Sequence, residues 1–335
     1  MWHIIPMASA FKKKPKVFIM GLSGFLGYHL ACKLRDKFTV VGCYFQHPVK
    51  IRDVHAFPMS LKDNTDMLER LVAIQAPDFA ISAAGISDPK VITENSKLAE
   101  NINVSLPLAF ALMATRNRAK HILLSCADVF DGTTGDYDEN SRDFAVTGGL
   151  GKMKATASAY VRAQTMEGTI LRIGRVLGLG HPFRHSFVDE LRARLQSGKT
   201  YHADETKIHS YLTTASMTAA IEELLLNPFP PNKQRLFHIG GPTANELEIC
   251  QILSVAMGLD TRFLKLIPQG ESINLSLNST LMESTFKWKA ESKEQLLNNF
   301  LTELKPGLTS PSKHLKVGAK KEDAAKGPVR RTPRV

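Results

Sequence analysis

An α/β fold with a doubly wound parallel sheet and a smaller C-terminal lobe is the fold class that the sequence predicts. Apolar strand-like segments recur through the first half of the chain, at 16–20, 38–44, 78–85, 121–129 and 169–176. A glycine-rich turn over residues 21–27 joins the first of them to a helical pattern. Strand, glycine turn, helix and strand within about thirty residues form the βαβ unit from which parallel sheets are built.

Amphipathic helices are predicted between the strands from apolar residues at helical spacing. One helix starts at Phe25, and a second has Asn64 as its N-cap. The others cover 94–117, with a kink at Pro107, 152–164 and about 187–195. After residue 180 the alternation loosens. A short strand at 236–240 and a capping box over 243–246, opening a helix that ends near Gly258, indicate a smaller lobe beside the sheet.

The net charge of +11 is carried by the two ends of the chain. Residues 1–16 contribute +4 and residues 306–335 contribute +6, which leaves +1 for the body. The ends lack the aromatic interleaving of nucleic-acid-binding surfaces, so nucleic acid is not the expected partner. We expect disordered basic ends at 1–15 and 306–335, a sheet domain at 16–180, and a lobe at 181–305 that could return to the sheet.

The cysteines and histidines argue against a metal centre. The four cysteines form no C-x-x-C pair, which fits a reducing compartment rather than a zinc site or a disulfide scaffold. The histidines show no metal-ligand spacing. No apolar run approaches the ~20 residues that a membrane-spanning helix needs. We therefore expect a cytoplasmic protein with no metal site and no membrane partner.

The glycine turn has the chemistry of a dinucleotide site. Gly21 and Gly24 let the backbone turn tightly and approach a pyrophosphate, while Gly27 lets helix and strand pack closely. The N-terminus of the helix then offers unpaired N–H groups to the phosphates. This pattern predicts an NAD(P)-binding Rossmann-type sheet with a smaller C-terminal substrate lobe. The candidate cofactor-binding residues of the turn are Gly21, Ser23, Gly24, Phe25, Leu26 and Gly27; the alternative is a plain glycine turn.

The end of the second strand bears on the choice of cofactor. An acidic residue there would hold the ribose hydroxyls of NAD, but no carboxylate occurs before Asp53. His47, Lys50 or Arg52 could face the 2′-phosphate of NADP. NADP is therefore favoured and NAD stays possible; alternatively these cations are only solvated.

Several segments resemble the extended short-chain dehydrogenases, and the nearest branch is the dTDP-4-dehydrorhamnose reductase family with its relative, the regulatory β subunit of methionine adenosyltransferase. The similar segments are GLSGFLG at 21–27, ISAAG at 81–85, Asn103 in INVSLP, LSCADVFDG at 124–132 and LRIGRVLG at 171–178. The resemblance covers roughly residues 16–303 and implies that Ala83, Ala84 and Asn103 lie beside the cofactor.

The resemblance breaks at the catalytic residues. The family uses a Tyr-x-x-x-Lys pair with a serine or threonine, and the tyrosine passes a proton to the carbonyl oxygen as hydride arrives. Lys152 is the candidate lysine, and it would also hold the cofactor, yet Gly148 stands four positions before it; none of the six tyrosines has a lysine four positions later. Cys126 occupies the hydroxyl position, and alternation along the strand turns Ser125 to the other face. Asp128 is a candidate replacement acid.

Three functions stay open on this sequence. The resemblance implies an NAD(P)-dependent reductase or epimerase acting on a nucleotide sugar, for which Arg172, Arg175 and His209 are candidate substrate ligands. The missing tyrosine favours a catalytically silent NADP-binding subunit of another enzyme, like the methionine adenosyltransferase β subunit. The third reading is an interaction protein that works through its basic ends. A homodimer is possible.

Overall fold

The computed structural model describes residues 14–59, 65–145, 149–227, 235–266 and 270–304. Its main layer is a seven-stranded sheet in the order β10-β6-β5-β4-β1-β2-β3, and every neighbouring pair in it is parallel. The strands are β1 (Lys16–Met20), β2 (Thr39–Tyr44), β3 (Val54–Pro58), β4 (Phe79–Ser82), β5 (Lys120–Cys126), β6 (Thr169–Ile173) and β10 (Leu236–Ile239). The predicted Rossmann-type parallel sheet is therefore confirmed.

Helices cover both faces of this sheet, which is why its central strands are largely apolar and do not alternate. Val17 and Ile19 of β1 pack into a core with α1 (Phe25–Leu34) and α8 (Thr214–Leu226). Phe18 and Met20 of the same strand face the opposite core. The helices of that second face are α2 (Asp66–Gln75), α5 (Leu106–Arg116) and α6 (Leu150–Gln164).

The predicted 94–117 helix is a composite. It follows α3 (Pro89–Glu94) and consists of α4 (Ser96–Glu100), a π-helical turn over Asn101–Ser105, and α5, with Pro107 in the first turn of α5. The stretch Ser96–Arg116 is long and apolar enough to cross a membrane by length and composition, which the sequence analysis did not expect. In the protein 56% of its most apolar window is buried, as is typical of a core helix.

The second lobe is built from short strands around its own core. One sheet joins β11 (Thr243–Asn245), β9 (Lys207–Thr213), β13 (Ile273–Leu275) and β7 (Arg175–Leu177), and a smaller one pairs β12 (Leu264–Leu266) with β8 (Tyr201–Ala203). The helices that pack on them are α7 (Phe187–Gln196), α9 (Glu246–Ala256) and α11 (Lys293–Leu304), and the short α10 (Thr280–Thr285) lies against β10.

Some local predictions need correction. Strand β3 was not predicted, and its half-exposed side chains explain the weak signal. The capping box before α9 is formed by Asn245 and Glu248, not by residues 243 and 246, because the backbone at 243–245 is still a strand. Strand β10 does return to the main sheet. The expected N-cap Asn64, residues 1–13 of the expected leader at 1–15, and the tail at 306–335 lie outside the described residues.

Candidate functional site

The turn after β1 is pressed between two neighbouring strands. The N–H groups of Gly21 and Leu22 donate to the carbonyl oxygen of Cys43, at 3.1 and 2.9 Å. Gly21 has a φ of +91°, and a Cβ at this position would lie 2.5 Å from the backbone nitrogen of Ala84. Only glycine fits both the left-handed backbone and the close approach.

Helix α1 begins immediately after this turn, with Gly24 as its N-cap. No side chain among the described residues caps it, and its first turn contains no acid. Its leading N–H groups therefore remain available to an anion. Gly27 faces the turn, where a Cβ would lie 2.2 Å from the carbonyl oxygen of Gly21; its role is helix–strand packing.

A cleft of about 370 Å³, here called the main cleft, opens at the carboxyl ends of the parallel strands. This is the edge at which open α/β sheets bind ligands. Its lining includes nine of the residues that the sequence analysis selected: Gly21, Ser23, Gly24, Phe25, Leu26, His47, Ala83, Ala84 and Cys126. Gln46, Gly85, Leu150, Lys154, Phe183 and Arg184 also line it and were not selected.

The lysine of the main cleft is Lys154, which corrects the assignment of Lys152. Lys152 is exposed on α6, and Lys154 is buried with its Nζ 3.4 Å from the carbonyl oxygen of Leu124. Two positions along a helix correspond to about 200° of rotation, so the two side chains leave opposite faces. Burial lowers the pKa of Lys154, while the nearby Cys126 acts in the opposite direction.

If Lys154 is the lysine of the Tyr-x-x-x-Lys motif, Leu150 stands at the position of the tyrosine. It is the first residue of α6 and lines the main cleft one helical turn before Lys154. The residue named from the sequence, Gly148, lies outside the described residues. A leucine has no proton to donate, so the absence of the tyrosine persists in the corrected register.

Cys126 and Ser125 both border the main cleft, although Ser125 was expected to face away. The cleft crosses the end of β5 and so reaches its last two residues. Burial and the neighbouring carboxylate of Asp128 raise the pKa of the Cys126 thiol well above its ordinary value. Asp128 itself is exposed on a short 3₁₀ turn and does not line the cleft.

Residues 15–273 match the family described as the RmlD substrate binding domain. The chain belongs to this family. The family match confirms the resemblance to the dTDP-4-dehydrorhamnose reductases. A curated relative is the probable low-salt glycan biosynthesis reductase Agl14 of Haloferax volcanii, 26% identical over 163 residues. That alignment covers 48% of this chain and 53% of the relative, so the chain spans about half the length of the curated relative it matches.

Solved structures resemble this RmlD-family chain over most of its length. The dTDP-4-dehydrorhamnose reductase of Bacillus anthracis in complex with NADP has a TM-score of 0.71 at 17% identity, covering 87% of this chain and all of that one. The UDP-glucose 4-epimerase of Thermotoga maritima with UDP-glucose gives 0.73 at 17%, covering 86% and 98%. WbmG of Bordetella bronchiseptica with NAD gives 0.74 at 18%, covering 90% and 98%. At these identities the likeness shows the fold.

Asn103, which the resemblance placed beside the cofactor, does not line the main cleft in this RmlD-family chain. It is fully buried in the π-helical turn, where its amide accepts from the N–H of Ile86 at 3.1 Å and donates to the carbonyl oxygen of Ile86 at 2.9 Å. Asn103 thus holds the loop after β4 in place. Gly85 and Ile86 line the cleft, so Asn103 supports the cleft wall through its hydrogen bonds to Ile86 without lining the cleft itself.

Arg172, a candidate substrate ligand, is buried and does not line the main cleft. Its guanidinium lies 3.2 Å from Nε2 of His238 and over the rings of Phe130 and Phe144, at 4.9 and 5.4 Å from their centres. Burial lowers the pKa of Arg172 to about 10. Because β6 is covered on this face by the segment around Phe130, the side chain ties that segment to the sheet.

The other two substrate candidates belong to the second lobe and do not line the main cleft. Arg175 is exposed on β7, and His209 is buried on β9. Nε2 of His209 has no hydrogen-bond partner among the described residues. Burial lowers the pKa of His209 to about 4, with the charge of Arg175 acting in the same direction. In the described parts of the chain, no group of three or more His, Cys, Asp or Glu side chains is placed to bind a metal.

Proposed function

We propose that the main cleft binds a nicotinamide dinucleotide and that this chain holds it without the proton donor of its family. The observation that carries the proposal is the pair Leu150 and Lys154, which line one cleft four residues apart. The lysine of the family motif is present and the tyrosine is replaced by a side chain that cannot transfer a proton.

Dinucleotide binding is supported by the glycine turn and by the uncapped N-terminus of α1, which face the cleft together. Relatives of the same fold were solved with NADP or with NAD. Lys154 has three N–H donors and uses one on the carbonyl oxygen of Leu124, so the remaining donors can reach ribose hydroxyls.

NADP is the preferred dinucleotide in this proposal. Recognition of NAD uses a carboxylate that accepts from the ribose hydroxyls. None of the described residues that line the main cleft is acidic, whereas His47, Lys154 and Arg184 are basic. A cleft of this charge favours the dinucleotide that carries an additional phosphate.

Catalytic silence follows from the loss of the donor. General acid catalysis contributes roughly 10²–10⁴-fold in rate, so a leucine at position 150 leaves hydride transfer slow even with the nicotinamide in place. A protein that retains the nucleotide site and loses turnover is suited to act as a nucleotide-binding subunit of another enzyme. We propose this regulatory role as the function of the chain.

A second candidate is a slow nucleotide-sugar reductase, and Cys126 is the observation that favours it. Because its pKa is raised, the thiol carries a proton, and it borders the same cleft as Lys154. A protonated thiol there could replace the missing tyrosine as acid. Family membership points in the same direction.

Calorimetric titration with NADPH and NADH tests the proposal, with Gly24→Asp as the variant. The φ of Gly24 is −73° and aspartate is a favoured N-cap, so this variant should fold while its carboxylate occupies the anion site. The matched control is Gly270→Asp, since a Cβ at this position would have no atom of another described residue within 4 Å apart from its chain neighbours. We expect the wild type and the control to bind and Gly24→Asp to lose binding.

Turnover separates the two candidates. NADPH oxidation is followed with dTDP-4-dehydrorhamnose, the substrate class named for the relatives. Tight binding without oxidation supports the silent subunit, and oxidation that Cys126→Ala removes supports the slow reductase. Failure of the folded wild type to bind either nucleotide would reject both.

A further inference from the structure

The loop between β7 and α7 reaches back from the second lobe to the glycine turn. In this 180–186 loop, Nε2 of His181 lies 2.9 Å from the carbonyl oxygen of Ser23, to which it donates. The ring of His181 also stacks on Tyr28 of α1, with 4.5 Å between ring centres. The loop is thus attached to the turn and helix that would receive the pyrophosphate.

The loop is held in one conformation by its own hydrogen bonds. His181 and Arg184 exchange backbone N–H···O bonds of 3.0 and 2.9 Å, which leaves Pro182 and Phe183 at the tip. The carboxylate of Asp189 accepts from the N–H groups of Gly180 and Ser186, at 2.7 and 2.9 Å. This arrangement presents the side chains of Phe183 and Arg184 in a preformed turn.

Those two side chains line the main cleft opposite the end of β2. The ring of Phe183 lies parallel to that of His47, with 5.5 Å between centres and 2° between planes. Because Phe183 precedes Arg184 and stacks on His47, the side chains of Arg184 and His47 border the same part of the main cleft. An anion at this point would meet the guanidinium of Arg184 from the second lobe and the imidazole of His47 from the first.

The cations suggested by the sequence do not reach this place. Lys50 is exposed and does not line the main cleft. Arg52 is also exposed, and it pairs with its neighbour Asp53 at 3.3 Å. The end of β2 therefore contributes only His47 and Gln46 to the cleft among the described residues. A strong cation for a ribose phosphate has to come from elsewhere.

We propose that Arg184, from the second lobe, recognises the 2′-phosphate of NADP together with His47, so that the coenzyme is held between the two lobes. The proposal rests on the function proposed above, dinucleotide binding in the main cleft. The residues after β2 lie at the adenosine ribose in this fold, and the contact of Phe183 with His47 places Arg184 at the same position. The planar guanidinium donates in pairs to phosphate oxygens, a geometry that an ammonium group does not offer.

The test compares Arg184→Gln with the control Lys50→Gln; both positions are exposed, so we expect both variants to fold. Dissociation constants are measured for NADPH and NADH, and for 2′,5′-ADP and 5′-AMP as adenosine-end probes. For Arg184→Gln we expect NADPH and 2′,5′-ADP to weaken about ten- to a hundredfold, and NADH and 5′-AMP to change by less than about threefold. Lys50→Gln should bind like the wild type.

The outcomes separate this inference from the function on which it depends. If the wild type binds neither dinucleotide, the proposed function fails. If the wild type binds both and Gly24→Asp removes binding, but Arg184→Gln leaves the NADPH/NADH ratio unchanged, only the role of Arg184 is overturned. An equal loss for NADPH and NADH would assign Arg184 to the pyrophosphate and would also reject the role proposed here.

Discussion

Leu150 lies one helical turn before Lys154, and both side chains line the main cleft. The first residue of α6 thus stands where the Tyr-x-x-x-Lys motif has its proton donor, and a leucine has no proton to donate. This relationship makes the proposed catalytic silence testable by a single substitution.

Replacing Leu150 by tyrosine should restore a donor in the cleft. With a phenol one turn from the Lys154 amine, we expect NADPH oxidation with dTDP-4-dehydrorhamnose to rise by about 10²–10⁴-fold. Steady-state absorbance at 340 nm measures it. Leu150→Phe is the matched control, since it adds the ring without the hydroxyl. Equal rates for the tyrosine and phenylalanine variants would show that a donor at this position is not what limits turnover.

Lys154→Met should weaken NADPH binding, while Lys152→Met should leave it within about twofold. A lost charge-assisted hydrogen bond costs about 1.5–3 kcal/mol, or roughly ten- to a hundredfold in affinity. Calorimetry on both variants provides the comparison. Because burial lowers the pKa of Lys154, the wild-type affinity should fall with rising pH earlier than an ordinary lysine would titrate. That pH dependence should be missing in Lys154→Met; its persistence would point to another group.

His121 should make the protein less stable in mild acid. It is buried with Nε2 2.9 Å from Oγ of Ser82, and burial lowers its pKa to about 3. Between the unfolded pKa of about 6.5 and this value, only the unfolded chain takes up the proton, so the free energy of unfolding decreases as the pH falls. In this pH range, His121 lowers the free energy of unfolding by about 1.4 kcal/mol for each pH unit of acidification.

Urea unfolding from pH 7 to pH 4 measures this effect. His121→Gln should reduce the slope of unfolding free energy against pH by that amount, whereas His202→Gln, at an exposed position, should not. Parallel slopes for the wild type and His121→Gln would contradict the assignment.

Gly27→Ala should destabilise the protein by about 1–3 kcal/mol, because the new methyl group would overlap the carbonyl oxygen of Gly21 at 2.2 Å. Movement of that carbonyl would also distort the turn and weaken NADPH binding. Thermal unfolding and calorimetry report the two effects. Gly270→Ala, in open space, is the control. A Gly27→Ala protein as stable as the wild type would mean that helix and turn are less closely packed than described.

The sheet could be predicted from the sequence because its signals are local. Fully buried strands such as β1 are continuous apolar runs, and the glycine turn follows directly. The register at α6 could not be obtained in this way. Lys152 and Lys154 lie in one stretch of small and polar residues, and only packing against the cleft shows which lysine is buried.

Contacts distant in sequence were also beyond the reach of local patterns. The hydrogen bond from His181 to Ser23 spans 158 positions, and it attaches the loop that carries Arg184 to the glycine turn. For Arg172, contacts distant in sequence argue against a role that its local position had suggested. The sequence made it a candidate substrate ligand, but in the fold the rings of Phe130 and Phe144 cover its guanidinium.

Strand β10 has a consequence for how this molecule can be divided. It comes from the C-terminal half, yet it forms the outer edge of the main sheet beside β6, and α8 from the same half covers β1. A fragment ending near residue 180 would leave the β6 edge unpaired and expose the part of one sheet face that α8 covers, so we expect it to aggregate. Exchanging the second lobe with that of a relative would require the replacement of two separate segments of the chain, one before α8 and one after β10.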